Sequence, residues 1–279
     1  MTASTNPFLD ATTQGELYRD ASRLATRTSA LHRAKTHGRA VTEVIADLAN
    51  GHLLAPVVVD IGCGRGTSSR VLAERLRPRR LIGVDASAPL LADARARLGT
   101  AAGAASFVQF VQADFHHLPL PDGVCSVAVA AFCLYHAPDP EIVIAEIART
   151  LIPGGIAILV TKSADSYHEL DTLVAAAGLD PDAPHRESLY AAANSANLAG
   201  LTERVLPVEH LEHEEHGFTF TDLGHVAEYL ATSPKYHLPA GLRGDPDAIA
   251  AALRACLPDT PVSTTSVVTY LLARKPGGA

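Results

Sequence analysis

The sequence predicts an α/β fold with a doubly wound, mostly parallel sheet, and three observations support this prediction. Five short apolar runs alternate with longer stretches of helical spacing between residues 57 and 160. The first run, Val57–Ile61, has no polar residue before Asp60, as expected of a strand that is buried on both faces. Strands that alternate with helices are joined by right-handed crossovers, which build a parallel sheet.

Helix-start signals separate the predicted strands. Thr67 and Ser68 are expected to cap the first helix of the core, and Ser87 to open the second. Asp139 is expected to cap a later helix, with Pro140 at its first position. The strands that follow the first one are predicted over residues 81–84, 107–111, 124–132, 156–160, 203–220 and 262–272.

The segments that flank this core are predicted to be helical additions to it. Residues 1–40 carry leucines at a heptad-like spacing and no strand pattern, so we expect a helical N-terminal lid there. The core would then span residues 41–279, with cap insertions at about 180–202 and 221–258. The second insertion is predicted to contain two helices that are separated by proline and glycine.

Composition and charge exclude several classes of protein. The 279 residues include 23 Lys plus Arg against 30 Asp plus Glu, and the net charge of −7 argues against nucleic acid as a partner. A hydrophobic content of 47% excludes a disordered chain, and no apolar run approaches the ~20 residues of a membrane span. The four cysteines have neither disulfide-framework nor zinc-finger spacing, and no secretory signal is visible. We therefore expect a cytoplasmic protein, a monomer or homodimer, that binds no membrane.

Glycines and carboxylates follow the first three predicted strands, at the end where parallel sheets bind ligands. The first strand runs into DIGCGRG (residues 60–66), whose glycines allow the backbone to approach a ligand closely. The next helix presents unpaired N–H groups to the same place. Asp85 follows the second strand, 19 residues beyond Gly66, where its carboxylate can accept two ribose hydroxyls. Asp114 and Phe115 follow the third strand and can receive an adenine amino group and flank its ring.

The segment 57–160 resembles the core of the class I S-adenosylmethionine (SAM)-dependent methyltransferases. The matching stretches are VVVDIGCGRG, LIGVDAS, FVQADFHHLPLPDG, VAAFCLYHAPDP and LIPGGIAILVTK. The resemblance implies a seven-stranded sheet whose last strand is antiparallel, with SAM as cofactor and S-adenosylhomocysteine as product. It also implies the cofactor-binding residues, which are Asp60, Gly62 and Gly64 at the methionine moiety, Asp85 at the ribose, Asp114 and Phe115 at the adenine, Ala131 along the methionine and sulfonium, and also Ala86 and the lid residue Tyr18.

The residue that would remove a proton from the acceptor is harder to assign. A sulfonium methyl group is already electrophilic, so alignment with the acceptor accounts for most of the catalysis. His136, after the fourth strand, is the candidate general base, and the alternative is that it braces the loop before Pro138. His168, after the fifth strand, is a weaker candidate. In the N-terminal region, His32 and His37 could close over the cofactor and Arg27 could meet its carboxylate, but these residues, like Lys162 as a nucleophile, are better explained as surface residues.

The stretch HLEHEEH (residues 210–216) has side chains of the type that bind metals. On a strand, alternation would place His210, Glu212, Glu214 and His216 on one face and His213 on the other. Methyl transfer from SAM needs no Lewis acid, so we expect no metal here. A solvated or acceptor-facing strand explains the pattern better.

Together these features predict transfer of a methyl group from SAM to O, N or C of a small organic metabolite. The absence of Trp, and of a Pro-Pro-aromatic signature after the fourth strand, argues against a nucleic-acid acceptor. The alanine- and arginine-rich composition resembles proteins of high-GC actinobacteria, where such enzymes often tailor natural products. Two alternatives stay open. One is a SAM-binding protein without methyl transfer, and the other is an NAD-dependent oxidoreductase, which the G-x-G-x-G spacing disfavours.

Overall fold

One eight-stranded sheet organises the computed structural model, which describes residues 6–50, 56–99 and 108–278. The strands in this part of the chain are β1 (Lys35–His37), β2 (Val57–Ile61), β3 (Arg80–Asp85), β4 (Val108–Gln112), β5 (Cys125–Ala131), β6 (Leu151–Lys162), β7 (Val208–Phe220) and β8 (Val262–Arg274). They lie in the order β1-β7-β8-β6-β5-β2-β3-β4. Strands β2 to β6 pair in parallel, and β8 pairs antiparallel with β6. The predicted fold class, with its antiparallel last strand, is confirmed.

Helices connect and flank these strands. They are α1 (Ala11–Leu17), α2 (Ala21–Ala34), α3 (Val41–Ala49), α4 (Thr67–Leu76), α5 (Ala88–Gly99), α6 (Pro140–Thr150), α7 (His168–Ala176), α8 (Leu198–Glu203), α9 (Leu223–Leu230) and α10 (Pro246–Cys256). None of the helices in the described part of the chain has the length and apolarity needed to cross a bilayer.

The helix starts agree with the sequence at two places and differ at one. Asp139 caps α6 by accepting the N–H of Glu141 at 3.1 Å, with Pro140 in the first position. Ser87 Oγ accepts the N–H of Leu90 at 3.3 Å. The prediction that Thr67 or Ser68 caps α4 is wrong, because the left-handed Gly66 occupies the N-cap position and Thr67 is already helical.

Strand β1 is the element that the sequence did not indicate. It pairs antiparallel with β7, with Lys35 opposite Phe218 and His37 opposite Gly217. Three residues are too few to show an alternating pattern, so the partner strand determines this element rather than local preference. The sheet therefore has one strand more than the seven that were predicted.

Several strand bounds also differ from the prediction. Strand β4 starts at Val108, and Phe107, which was predicted to start it, lies outside the described residues. Strand β6 begins directly after α6 and includes Pro153-Gly154-Gly155, which was predicted to be a turn. Strand β7 starts five residues later than predicted, because α8 ends at Glu203 and residues 204–207 form a turn before the strand.

The chain divides into two compact units. The first consists of the residues up to Gly38, Ala164–Leu189 and Glu214–Val267, and the second of Arg39–Ser163, Tyr190–His213 and the residues from Val268 onward. The first unit buries Phe220, Leu230 and Leu253 in its own hydrophobic cluster. The second buries Ile158 and Tyr270 in another. Described residues of both the predicted lid (1–40) and the second cap insertion (221–258) belong to the first unit, and their roles as lid and cap stay predictions.

Candidate active site

Three carboxylates lie at the carboxyl ends of three neighbouring strands in the second unit. Asp60 is the last residue but one of β2, Asp85 ends β3, and Asp114 follows β4 by two residues. Because β2 pairs with β3 and β3 with β4, all in parallel, these three ends share one edge of the sheet. The edge is the one where open parallel sheets bind their ligands.

Asp60 is a buried acid that accepts hydrogen bonds from Ser69. It is 1% exposed, and Ser69 Oγ on α4 donates to its Oδ2 at 2.5 Å. Burial, with a smaller contribution from the negative charge of Asp85, raises the pKa of Asp60 to about 7, although the hydrogen bonds from Ser69 oppose the rise. A cationic group brought next to Asp60 would favour the ionised carboxylate.

Asp85 connects the end of β3 to the glycine-rich turn. Its Oδ2 accepts the N–H of Gly64 at 2.8 Å, and its Oδ1 accepts the N–H of Ser87 at 2.8 Å. Burial raises the pKa of Asp85, and these two backbone hydrogen bonds oppose the rise. Each carboxylate oxygen has two acceptor sites, so both can still receive hydroxyl donors. The neighbouring Ala86 is exposed, and its carbonyl accepts a hydrogen bond from Gln112 at 3.0 Å.

The glycine-rich turn packs closely against Cys133, so its glycines are needed for packing within the protein. Gly62 has a φ of +62°, and a Cβ built on it would lie 2.5 Å from Cys133 Cβ. Cys133 follows β5, and its Sγ lies 3.3 Å from the carbonyl of Ile61. Burial raises the pKa of the Cys133 thiol. Gly62 is therefore required by the close approach of the turn to the end of β5.

Asp114 lies in a local turn with a histidine that the sequence reasoning missed. Its Oδ1 accepts the backbone N–H of His116 at 2.9 Å and lies 2.7 Å from Nδ1 of the same residue. The ring of His116 stacks on Phe115 at 4.7 Å between centroids. Partial burial raises the pKa of Asp114, but the hydrogen bonds from His116 outweigh it and hold the pKa below its ordinary value. The signal that could have found this residue is Asp114 itself, because an Asp side chain in a turn often accepts the backbone N–H two residues on, which is where His116 lies.

The ends of β5 and β6 carry a second group of side chains in the same unit. Ala131 ends β5 and is half-buried, and Phe132 follows it with a φ of +57°. Lys162 ends β6 and is half-buried rather than fully exposed. Its Nζ lies 5.2 Å from the ring centroid of Phe132 and 5.8 Å from that of Tyr190.

His136 lies close to this second group. It ends the short 3-10 helix Leu134–His136 and is half-buried. Its ring centroid is 4.9 Å from that of Tyr135, whose ring in turn meets Tyr190 edge-on at 4.9 Å. The structure therefore brings the candidate base into the second unit with the three carboxylates, among aromatic rings.

Tyr18 and four of the weaker candidates lie in the first unit. Tyr18 is half-buried at the end of α1. Arg27 donates to the carbonyl of Thr232 at 3.1 Å, and His37 lies 3.6 Å from Glu215. His32 is exposed on α2, and His168, at the start of α7, is 3.8 Å from Asp171. All five belong to the first unit, whereas the three carboxylates belong to the second.

The histidine-rich stretch of β7 contacts protein groups. His213 Nδ1 lies 2.8 Å from Thr269 Oγ1. His210 and His216 each lie 3.5 Å from a glutamate two residues away, Glu212 and Glu214 respectively. Within the described residues, no group of three or more His, Cys, Asp or Glu side chains is arranged to hold a metal ion.

The set of acceptors at the sheet edge fits the cofactor that the resemblance implies. SAM presents an ammonium, two ribose hydroxyls and an adenine amino group, and all of these are hydrogen-bond donors. Asp60, Asp85 and Asp114 supply three acceptors in a row, and the first is a buried acid whose charged form a cation would stabilise.

Comparisons with known proteins agree with this geometry. Residues 59–159 match the family described as a methyltransferase domain. The chain is 32% identical over 116 residues to a malonyl-[acyl-carrier protein] O-methyltransferase of Marinomonas sp. and 39% identical over 119 residues to a trans-aconitate 2-methyltransferase of Methylobacterium nodulans. These matches cover 42% and 41% of this chain and 42% of each relative, which is less than half of either protein.

A solved structure extends the likeness in fold over nearly the whole chain. The crystal structure of the [4+2]-cyclase SpnF superimposes with a TM-score of 0.60 at 22% identity. The superposition covers 95% of this chain and 97% of that one. At this identity the likeness concerns the fold alone.

Proposed function

We propose that this chain, whose residues 59–159 match the family described as a methyltransferase domain, is a class I SAM-dependent enzyme that moves a methyl group from SAM to a small organic molecule. The observation that carries the proposal is the row of Asp60, Asp85 and Asp114 on three adjacent strand ends. The two relatives are named for different acceptors, trans-aconitate and a malonyl group on acyl carrier protein. They support a small acceptor without identifying it.

In this proposal the chain's own residues hold the cofactor. Asp60 binds the ammonium of its methionine moiety, with Gly62 and Gly64 alongside, and Asp85 accepts the ribose hydroxyls. Asp114 accepts the adenine amino group, with Phe115 beside the ring. The small side chain of Ala131, at the end of β5, leaves room for the sulfonium. The role of Tyr18 as part of a lid over the cofactor stays a prediction from the sequence.

The bound cofactor supplies an electrophilic methyl group, and the protein supplies alignment. Holding an acceptor atom in line with a methyl carbon can lower the barrier by about 7–11 kcal/mol. A base contributes only where the acceptor must lose a proton, and there His136 is the candidate, contributing about 10²–10⁴-fold. For an acceptor that is already ionised, His136 has no proton to remove.

Two further aspects of the proposal rest on composition. The alanine- and arginine-rich sequence supports a role in tailoring a natural product, by analogy rather than by geometry. The four cysteines are free thiols, three of them buried, which supports a reducing compartment such as the cytoplasm.

The test of this function is cofactor binding by the Asp85→Ala variant. Loss of a charged acceptor should weaken SAM binding by about 1.5–3 kcal/mol, the range for a hydrogen bond to a charged group. Calorimetric titration with SAM, S-adenosylhomocysteine and NAD measures this directly. Asp122→Asn is the matched control, because Asp122 is an exposed carboxylate just before β5, at the amino end of that strand.

The outcomes separate the proposed function from its alternatives. Unchanged SAM affinity in Asp85→Ala would contradict the ribose assignment. Binding of NAD but not SAM by the wild-type protein would favour the oxidoreductase. Release of S-adenosylhomocysteine from a metabolite mixture distinguishes methyl transfer from SAM binding alone. This distinction matters because a protein of the same fold is named a cyclase.

A further inference from the structure

The turn after β4 is tied to the end of β3 by its backbone. This turn covers residues 113–117 and follows β4 directly. The N–H of Ala113 donates to the carbonyl of Asp85 at 3.1 Å, and the N–H of His117 donates to the carbonyl of Asp114 at 3.1 Å. The backbone that carries Asp114 is therefore fixed relative to Asp85. The orientation of the Asp114 carboxylate then depends on its own side-chain contacts.

The two carboxylate oxygens of Asp114 have different surroundings. Oδ1 accepts the backbone N–H of His116 at 2.9 Å and lies 2.7 Å from the ring Nδ1 of the same residue. Oδ2 makes no hydrogen bond or ion pair with any residue in the part of the chain that the structure describes. The side chain of Asp114 is 64% exposed, so Oδ2 is open to a ligand.

His116 supplies two hydrogen-bond donors to one oxygen. An ionised carboxylate offers only acceptors, and the pKa of Asp114 lies below its ordinary value, so the shared hydrogen belongs to Nδ1 of His116. The ring is itself supported, because it stacks on Phe115 with an angle of 20° between the two planes. Rotation about the last side-chain bond of an Asp is normally soft. For Asp114 that rotation would cost two hydrogen bonds to His116.

A carboxylate oxygen that is held in place can distinguish between purines. Adenine carries an exocyclic amino group, which donates to the oxygen, whereas hypoxanthine carries a carbonyl oxygen at the same ring position, which is repelled. A carboxylate that rotates freely would turn away from the carbonyl and tolerate either base. A site built to hydrogen-bond one group of its ligand rejects the analogue that lacks it. Selectivity at this end of the sheet therefore depends on what holds Asp114.

We propose that His116 is a positioning residue which sets the nucleobase specificity of the cofactor site, because it holds Oδ1 of Asp114 and leaves Oδ2 for the amino group of adenine. The inference rests on the proposed function and deepens it, since it assigns a residue to the selection of an aminopurine over an oxopurine. His116 acts through Asp114 and need not touch the base.

The experiment compares S-adenosylhomocysteine with S-inosylhomocysteine, in which a carbonyl replaces the amino group of the base. For the wild-type protein we expect S-adenosylhomocysteine to bind about 10- to 150-fold more tightly, the range for a hydrogen bond to a charged group. Calorimetric titration gives both dissociation constants. Their ratio, taken on one preparation, does not depend on how much of a variant is folded.

Two variants at one position separate the donor from the ring. His116→Phe keeps a flat ring against Phe115 and removes the donor, so the ratio should fall at least about fivefold, within the range for ordering one side chain on binding. His116→Asn places an amide N–H near the position of Nδ1 without a ring, and should keep the ratio within about twofold of the wild type. His117→Phe is the matched control, because His117 is the exposed neighbour in the same turn, and it should change neither constant.

The contrary outcomes are distinct from those of the proposed function. An unchanged ratio in His116→Phe would leave His116 a structural role only and overturn the inference. Equal loss in both variants would show that a donor alone does not hold Asp114, and loss in His116→Asn alone would assign selectivity to the ring, so either result also overturns it. If the wild type binds both ligands equally, the inference fails and the proposed function stands. If it binds neither, the proposed function fails and the inference falls with it.

Discussion

For the carboxylates at the sheet edge, the sequence predicts their positions but not their hydrogen-bond partners. Asp60, Asp85 and Asp114 could be predicted as a set, because each follows a strand whose apolar run is visible. The hydrogen-bond donors that shift the pKa values of Asp60 and Asp85 could not be predicted. Ser69 reaches Asp60 from the next helix and Gly64 reaches Asp85 from another strand end, so both contacts depend on the folded chain.

The raised pKa of Asp60 leads to a pH-dependent affinity. In the free protein Asp60 is protonated below about pH 7, and binding of an ammonium requires its ionised form. S-adenosylhomocysteine should therefore bind about tenfold more weakly for each pH unit below 7, and release a proton on binding in that range. Calorimetry in buffers of different ionisation enthalpy measures both effects.

Two comparisons isolate Asp60 in this measurement. Asp60→Asn should bind weakly with a flat profile between pH 5 and 7, and adenosine, which lacks the ammonium, should show little pH dependence with the wild-type protein. A slope that persists in Asp60→Asn would assign the titration to another group.

Lys162 shows why exposure is difficult to predict for a residue at a strand end. From the sequence it is a lone lysine before a polar segment, which indicates a surface charge. In the fold the rings of Phe132 and Tyr190 lie near its ammonium, and Tyr190 comes from 28 residues further along the chain. The sequence around Lys162 does not indicate this long-range contact with Tyr190.

At the scale of elements, the parallel core was largely predictable and its edges were not. Strands β2, β3 and β5 are buried runs, and α6 starts with a cap and a proline that are readable in sequence. Strand β1 has no such signal, because its three residues become a strand only through pairing with β7. The start of β7 was misplaced because α8 ends only at Glu203 and residues 204–207 turn into the strand instead of extending it.

The turn after β2 allows a matched test of packing against backbone strain. Gly62 and Gly154 both have positive φ, but only a Cβ on Gly62 would meet another side chain, at 2.5 Å from Cys133 Cβ. Gly154→Ala should lower the free energy of unfolding by about 1–2 kcal/mol, the cost of a left-handed alanine. Gly62→Ala should lower it by about 1–3 kcal/mol more, because of overpacking. Urea denaturation measures both, and equal losses would show that Cys133 moves aside at no cost.

At the scale of the whole molecule, the chain forms two units from interleaved segments. Sequence reasoning divided it into consecutive stretches, because composition and periodicity are read along the chain. The first unit instead collects three separate segments around one hydrophobic cluster. Such an assembly depends on long-range contacts, which a single sequence does not display.

A buried ion pair within the first unit should be important for its stability. Lys235 Nζ lies 2.6 Å from Asp171, and Tyr236 donates to the same carboxylate at 3.1 Å. Burial raises the pKa of Asp171, while Lys235 opposes the rise. Lys235→Met should therefore lower the free energy of unfolding by about 3–5 kcal/mol, because it leaves a buried acid without its cation.

Denaturation in urea, with hydrogen exchange to locate the change, tests this prediction. Faster exchange is expected in α7 and in residues 233–238. The double variant Asp171→Asn/Lys235→Met should recover part of the loss, because it removes both charges. If the double variant is no more stable than Lys235→Met, the loss comes from packing and not from charge.

Phe132, which follows β5, has a left-handed backbone conformation that is unfavourable for a bulky residue. A bulky residue at φ +57° holds a backbone shape that glycine would adopt freely, at a cost of about 1–2 kcal/mol. The chain makes an abrupt corner there, and the ring contact with Lys162 offsets part of that cost. Exchanging this aromatic ring for glycine would remove the backbone strain and, at the same time, the contact between the ring and Lys162, so the two effects on stability oppose each other at a single position.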